Sequence, residues 1–236
     1  MQPANEAQER PFINLFANLD SSLHKLINTA AVKKKYSTDQ PVVWQGDDAK
    51  GLYWVETGWL KAQKQAVSGR VQTIRFIGPG ETFSEIGGLT EAKHPASVIA
   101  MEPACVWLVG RHRLLELIEK HPDLARVMIE NLAQRVHYLS DLVEDLSLRP
   151  VESRLARLLL ENAESDIFLR RRWATQAVLS ERLGTVPDVL RRALHNLEDM
   201  GLIKVDRSRI TLLDRQALQA WAKLSIPQLD KPDETV

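Results

Sequence analysis

The chain has 236 residues, enough for one large domain or two ordinary ones with a real core. Its 31 basic and 31 acidic side chains balance, so the chain as a whole carries no polyanion-binding excess and any nucleic-acid surface must be local. The single cysteine, Cys105, excludes an internal disulfide framework and a cysteine-ligated iron–sulfur cluster within one chain.

Residues 1–11 are polar and predict no packed element. Leu15, Leu19, Leu23, Leu26 and Ile27 recur at helical spacing, which predicts short helices between Ile13 and Ala31. Between Val32 and Val109 the texture changes to short β-branched and aromatic runs that alternate with turn signals. Val42–Trp44 ends at Gly46-Asp47, Leu52–Val55 at Thr57-Gly58, Trp59–Ala66 at Ser68-Gly69, Val71–Ile77 at Gly78-Pro79-Gly80, and Ser97–Met101 at Glu102-Pro103. Strands this short and evenly spaced predict a sandwich or barrel. Cys105 to Val109 is apolar and predicts a strand with Cys105 buried in it.

Arg111–Lys120 reads as a helix broken by His121-Pro122. Pro122 followed by Asp123 suits the first turn of a second, long helix that ends near Arg149-Pro150. Pro150 is a candidate hinge. Within the long helix, Ile129, Val136 and Val143 fall seven apart, and Leu132, Leu139 and Leu146 lie three residues after them. β-Branched residues at every a position with leucine at every d position favour a parallel two-stranded coiled coil. The expectation is a homodimer with this helix as its seam; the alternative is one amphipathic helix packed on its own domain. The e and g positions hold Met128, Ala133, Arg135, Ser140, Leu142 and Ser147, mostly small or apolar, which predicts that both flanks also touch the helix's own domain. Val151–Asn162 is helical again, with Leu155, Leu158 and Leu159 on one face.

From Thr175 or Gln176 a helix runs through Leu183, Gly184-Thr185-Val186 makes a turn, and Pro187 opens a second helix. That helix presents Asp188, Arg191, Arg192, His195 and Asn196 outward over Val189, Leu190, Ala193, Leu194 and Leu197. A glycine turn before a helix with forked donors at its start is the form that docks in the DNA major groove. Arg192 can donate twice to guanine, and Asp188 can accept from cytosine. Leu202–Val205 and Arg209–Leu212 predict a hairpin wing whose turn carries Arg207 toward phosphate. The competing reading is a small helical bundle in which Asp188 and Arg192 form a solvated surface pair. Upstream, Gly80 to Leu89 and His94-Pro95-Ala96-Ser97 form a glycine- and hydroxyl-rich segment between strands, either an anion cradle or a tight structural loop.

In this order the segments resemble the Crp/Fnr family of bacterial transcription regulators across nearly the whole chain. Gln45-Gly46-Asp47, Leu52–Val55 and Gly58-Trp59-Leu60 resemble the family's second and third strands. Gly80–Leu89 resembles its phosphate cassette, Ile129–Leu146 its dimer helix, and Thr185–Ile203 its recognition helix and the start of the wing. The resemblance implies an α+β chain: an N-terminal jelly-roll β-barrel over residues 1–110, helices including the dimerisation helix over 111–149, and a winged helix-turn-helix over 150–236. It implies promoter DNA and RNA polymerase as partners, a small-molecule effector as a candidate, and no enzymatic activity. By the same resemblance, Thr175, Gln176, Thr185, Pro187, Asp188, Val189, Arg191 and Arg192 belong to the DNA face. The candidate effector site comprises Gly80, Phe83, Ser84, Glu85, Ile86 and Gly87 on the cassette. His94, Pro95, Ala96 and Ser97 follow on its return, and Val136, Leu139 and Ser140 lie on the helix.

The departures are specific. Cyclic-AMP-binding members carry Arg-Ser/Thr-Ala where this chain reads Pro95-Ala96-Ser97, so the phosphate-pairing arginine is missing. Glu85 matches the ribose-binding glutamate without that companion, and Leu139 stands where those members carry threonine beside the serine matched by Ser140. Losing a charge-assisted bidentate contact disfavours cyclic AMP. On the recognition helix, Arg191 replaces a small residue and Pro187 stands where some members carry a base-reading arginine. Two alternatives remain on the same scaffold: an effector-independent regulator, and a haem-based gas or redox sensor with His94 as axial ligand in a pocket lined by Val136 and Leu139. The identity of any cofactor stays open. No paired-carboxylate, nucleophile–base or phosphate-loop motif for catalysis is present, and the six histidines make no ligand-spaced cluster. No stretch approaches the roughly 20 apolar residues of a membrane span. The first residues lack the basic-then-apolar order of a secretory signal, so a cytoplasmic protein is expected.

Overall fold

The computed structural model describes residues 21–169 and 175–223. The expected helical positions before Ser21 and the polar tail after Pro227 lie outside the described residues. The chain divides into two compact units, residues 1–140 and 141–236.

The first unit opens with α1 (Ser21–Ala30) and continues through β1 (Ala31–Tyr36), β2 (Pro41–Val43), β3 (Gly51–Thr57), β4 (Leu60–Gln65), β5 (Val71–Ile77) and β6 (Thr82–Phe83). A single-turn helix, α2 (Glu85–Leu89), precedes β7 (Ser97–Ala100), β8 (Ala104–Gly110), α3 (Arg111–Lys120) and α4 (Pro122–Leu148). Two four-stranded antiparallel sheets result, in the orders β1-β8-β3-β6 and β2-β7-β4-β5. Strand alternation builds the core between them. Tyr53, Phe83 and Val106 from the first sheet meet Leu60, Ile77 and Val98 from the second. The opposite face of the first sheet, with Leu52, Trp54 and Val109, is covered by Leu23 and Ile27 of α1, Leu114 and Leu117 of α3, and Leu124, Val127 and Met128 of α4. This double coverage explains why β3 is buried from Gly51 through Val55.

The expected strands are all present. Two additions are β1, whose run Lys33-Lys34-Lys35 has no alternating pattern, and the two-residue β6. β1 is an edge strand whose exposed lysines discourage pairing with another chain. The expectation of a buried Cys105 is corrected. On β8, Ala104 and Val106 face the core between the sheets, whereas Cys105 is half-buried on the other face, in phase with Trp107 and Val109.

The second unit contains the last turns of α4, α5 (Val151–Asn162), β9 (Ile167–Leu169), α6 (Gln176–Arg182), α7 (Pro187–Asp199), β10 (Ile203–Val205), β11 (Arg209–Leu212) and α8 (Arg215–Lys223). Its core joins Leu155 and Leu159 of α5, Leu179 of α6, Leu190 and Leu197 of α7, Ile210 of β11 and Leu218 of α8. The expected two-stranded wing is a three-stranded sheet, β10-β11-β9, because Ile167–Leu169 pairs antiparallel with β11. α8 was not anticipated. Asp214 caps it, its carboxylate accepting from Ala217 N at 2.9 Å. At the Pro150 step, Arg149 is braced by Glu144 at 2.7 Å, Asp145 at 2.8 Å and the Ala222 carbonyl at 2.9 Å. Arg157 reaches the same Asp145 at 3.0 Å.

Candidate functional site

The cassette begins at the turn Gly78–Glu81. Gly80 adopts φ +83°, where glycine has no side-chain clash, and its N–H donates to Val55 O at 2.8 Å. Glu81 turns inward and accepts from Gly78 N at 3.0 Å. Ser84 also takes the left-handed region, with φ 63°, and reverses the chain into α2. Gly87 is required by packing, since a Cβ there would lie 2.0 Å from the Ala49 side chain. Phe83 is buried and stacks on Tyr53 with centroids 4.9 Å apart, while Ile86 is exposed.

The return of the cassette is clipped to the preceding loop. Gly46 N donates to His94 O at 2.9 Å, His94 N to Asp47 O at 2.8 Å, and Gln45 N to Ser97 Oγ at 3.0 Å. His94 is buried, its ring tilted against Tyr53 and its Nδ1 lying 3.3 Å from Ser84 Oγ. Burial holds the His94 pKa below its ordinary value, with Asp47 pulling the other way, which favours the neutral ring. Pro95 is exposed and Ala96 half-buried.

Glu85 is engaged by the protein itself. Its Oε1 accepts from Thr82 Oγ1 at 2.6 Å and from Arg135 Nη2, on α4, at 2.6 Å. Arg135 also donates to Thr82 O at 3.2 Å, where a second guanidinium, that of Arg75 on β5, donates as well. Arg75 lies 3.6 Å from Glu81. Burial, and then the charge of Arg135, lower the Arg75 pKa to about 10; Glu85 and Glu81 oppose the shift, and Arg75 stays charged at neutral pH. Two arginines and two glutamates thus form a charge-balanced cluster beneath the cassette. Tyr138, one turn along α4, donates to Ile74 O at 2.6 Å. Arg75, Arg135 and Tyr138 were not among the expected site residues. A lone charge at a g position among small and apolar flanks was the available signal for Arg135.

These contacts correct the expected orientation of α4. The g residues Met128 and Arg135 face the domain, but the e residues Ala133, Ser140 and Ser147 are exposed. The second inward row is the c set, with Leu124 and Asn131 buried and Tyr138 bonded to β5. The a/d stripe is open: Ile129 is 65 % exposed, Val136 67 %, Leu139 41 % and Val143 64 %, while Leu132 and Leu146 are half-buried. His94 is enclosed while Val136 and Leu139 face solvent, so within one chain the three do not share the pocket that the haem alternative requires.

In the second unit, Thr175 caps α6 by accepting from Val178 N at 3.3 Å, and Gly184 makes the turn with φ +62°. Pro187 occupies the first turn of α7, whose buried side is Leu190, Ala193, Leu194 and Leu197. Gln176, Pro187, Asp188, Arg191 and Arg192 are exposed, Thr185 and Val189 half-buried. Asp188 pairs with Arg191 at 3.2 Å; the surface pair considered from sequence was with Arg192. Farther along, His195 and Asp199 approach to 3.5 Å. Arg207 sits exposed at the tip between β10 and β11, next to the pair Arg209–Asp206 at 3.3 Å. Among the described residues, no group of three or more His, Cys, Asp or Glu could hold a metal ion, and no helix is long and apolar enough to cross a membrane.

Comparison with known proteins places both units. The cyclic nucleotide-binding domain matches residues 33–121, and the Crp-like helix-turn-helix domain matches residues 153–221. A cyclic AMP receptor protein of Thermus thermophilus is 26 % identical over 192 residues, covering 80 % of this chain and 88 % of that protein. A global nitrogen regulator of Synechocystis is 22 % identical over 220 residues, covering 89 % and 95 %. The fold is shared with FixK2 from Bradyrhizobium japonicum, at a TM-score of 0.69 and 24 % identity over 81 % of this chain and 96 % of that one. It is also shared with the c-di-GMP-responsive global regulator CLP of Xanthomonas campestris, at 0.73 and 19 % over 83 % and 100 %.

Proposed function

The chain belongs to the Crp/Fnr family of transcription regulators, and from that premise we propose that it is a homodimeric, sequence-specific regulator of promoters whose β-domain answers to a signal other than cyclic AMP. The observation that carries the DNA-binding reading is the α6–turn–α7–wing unit. It is built on one core and turns Asp188, Arg191 and Arg192 outward over the buried leucines of α7. Residues 1–110 act as the effector-type domain, 111–149 as the helical seam and 150–236 as the DNA reader. The protein works in the cytoplasm, with promoter DNA and RNA polymerase as partners and no catalytic role.

Arg192 reads a guanine edge, Asp188 accepts from a cytosine amine with Arg191 steadying its carboxylate, and Arg207 meets phosphate. The operator is then a near-palindrome with half-site centres about 34 Å apart. Arg192→Ala should cost about 1–3 kcal/mol on the operator and relax the preference at one base pair per half-site. Arg207→Ala should weaken all sequences alike and flatten the salt dependence. Binding curves on operator and scrambled duplex at two salt concentrations measure both. Equal losses on both duplexes for Arg192→Ala would make it a backbone contact.

The reading against cyclic AMP rests on two features of the cassette. Pro95 replaces the phosphate-pairing arginine, and Glu85, which a ribose would need, already accepts from Thr82 and Arg135. Cyclic AMP at physiological concentration should leave DNA affinity unchanged. A titration showing micromolar binding that tightens the DNA complex would overturn this. Phe83, Ser84, Glu85, Ser97 and Ser140 are the contacts expected of another effector. The internal Glu85–Arg135 pair also supports a form of the regulator that needs no ligand.

A further inference from the structure

The step into α7 is apolar on an otherwise polar face. Val186 precedes the helix in extended backbone, φ −111° and ψ 156°, and its side chain caps nothing. Valine is among the poorest residues for that position, because it cannot accept from the first free N–H groups as Ser, Thr, Asp and Asn do. The residue is 49 % exposed, so the core of the unit does not account for it either. Pro187 then sets φ and removes one backbone donor that could have met a phosphate. The next outward groups are Asp188, Arg191 and Arg192, with Arg207 exposed at the wing tip. The basic groups around this step match a polyanion, while the side chains of the step itself offer only apolar methyl and methylene groups.

Within the major groove one base edge is apolar, the C5-methyl of thymine. We propose that Val186, held by Pro187, packs on a thymine methyl and so specifies T at the base pair beside those read by Asp188 and Arg192. The inference rests on the DNA-binding reading above. A β-branched side chain suits the task, since its restricted χ1 leaves little rotamer freedom to lose on contact.

The test uses the full-length protein to select an operator from a randomised duplex library. Each thymine of that operator is then replaced singly by deoxyuridine, which lacks only the methyl group. One thymine per half-site should respond, with binding weakened about fourfold, the equivalent of one buried methyl. In Val186→Ala and Val186→Ser the ratio between thymine and deoxyuridine at that position should fall to one. Val186→Ser supplies a good helix cap, so its α7 starts at least as stably. Both variants should keep the guanine preference set by Arg192, which reports an intact reading helix. Val186→Ile should keep the thymine preference. A selected operator with no methyl-sensitive thymine, or equal sensitivity in Val186→Ala, overturns the assignment of Val186 and leaves the DNA-binding reading standing. A library that returns no preferred sequence overturns both.

Discussion

Leu139→Asp is expected to convert the protein to a monomer and to lower operator affinity by at least about a hundredfold, the loss that follows when two linked binding modules are separated. The open a/d stripe of α4 presents Ile129, Val136, Leu139 and Val143 as a row of exposed apolar side chains. A second copy of the stripe is the partner that the heptad predicts, since β-branched a residues and leucine d residues suit two parallel strands. In that seam the two aspartates would face each other without counter-charges, and each buried ion costs several kcal/mol. Sedimentation velocity reads the oligomeric state, and a binding curve on the selected operator reads the affinity. His137→Asp on the exposed b position is the matched control, adding the same charge outside the seam, and should remain dimeric. A Leu139→Asp protein that stays a tight dimer would place the interface elsewhere.

Arg135→Ala is expected to destabilise the N-terminal unit by about 3 kcal/mol, the usual consequence of removing one partner of a buried pair. Glu85 would keep Thr82 as its donor but lose the guanidinium 2.6 Å away. The Arg135 and Glu85 side chains are only 15 % and 11 % exposed, so water compensates little. For a chain of this size the unfolding temperature should fall by roughly 6–12 °C. Pairing the change with Glu85→Gln separates charge from packing. The double variant should recover part of the loss, because the uncompensated carboxylate is gone. Calorimetry on the four proteins of the cycle measures the coupling. Additive effects, or an Arg135→Ala protein as stable as the parent, would mean that the pair contributes no more than a surface salt bridge.

The larger elements were legible because their signals are local. Helix period, proline and glycine placement and caps located α3 (Arg111–Lys120), α4, α5 and α7, and the turn clusters bounded β3, β4, β5 and β7. The heptad stripe read from residues 129–146 is the exposed stripe of α4. α8 was within reach as well, since Asp214 followed three residues later by Ala217, with Leu218 and Trp221 beyond, is a capped amphipathic turn.

What tertiary structure alone decided are the pairings between distant segments. Periodicity puts Arg135 on a flank expected to touch the helix's own domain without saying what it meets there; the fold brings it to Glu85, fifty residues earlier. Arg75 sits in a strand whose two faces both carry apolar residues, so alternation does not say which is inside. It is buried because Glu81, Glu85 and the Thr82 carbonyl converge there. β9 has no glycine at its turn, where Ser165 and Asp166 both take positive φ, and only β11 completes it as a strand. On α7, Asp188 is three residues from Arg191 and four from Arg192, spacings equally able to pair, and side-chain direction in the folded helix selects Arg191. The sequence by itself therefore determined the family's architecture, the exposed a/d stripe of α4 and the outward polar side of α7, whose signals recur within a few residues. The charge cluster under the cassette was decided by tertiary structure, because the stability of a buried ion pair depends on which opposite charge the fold brings within hydrogen-bonding distance.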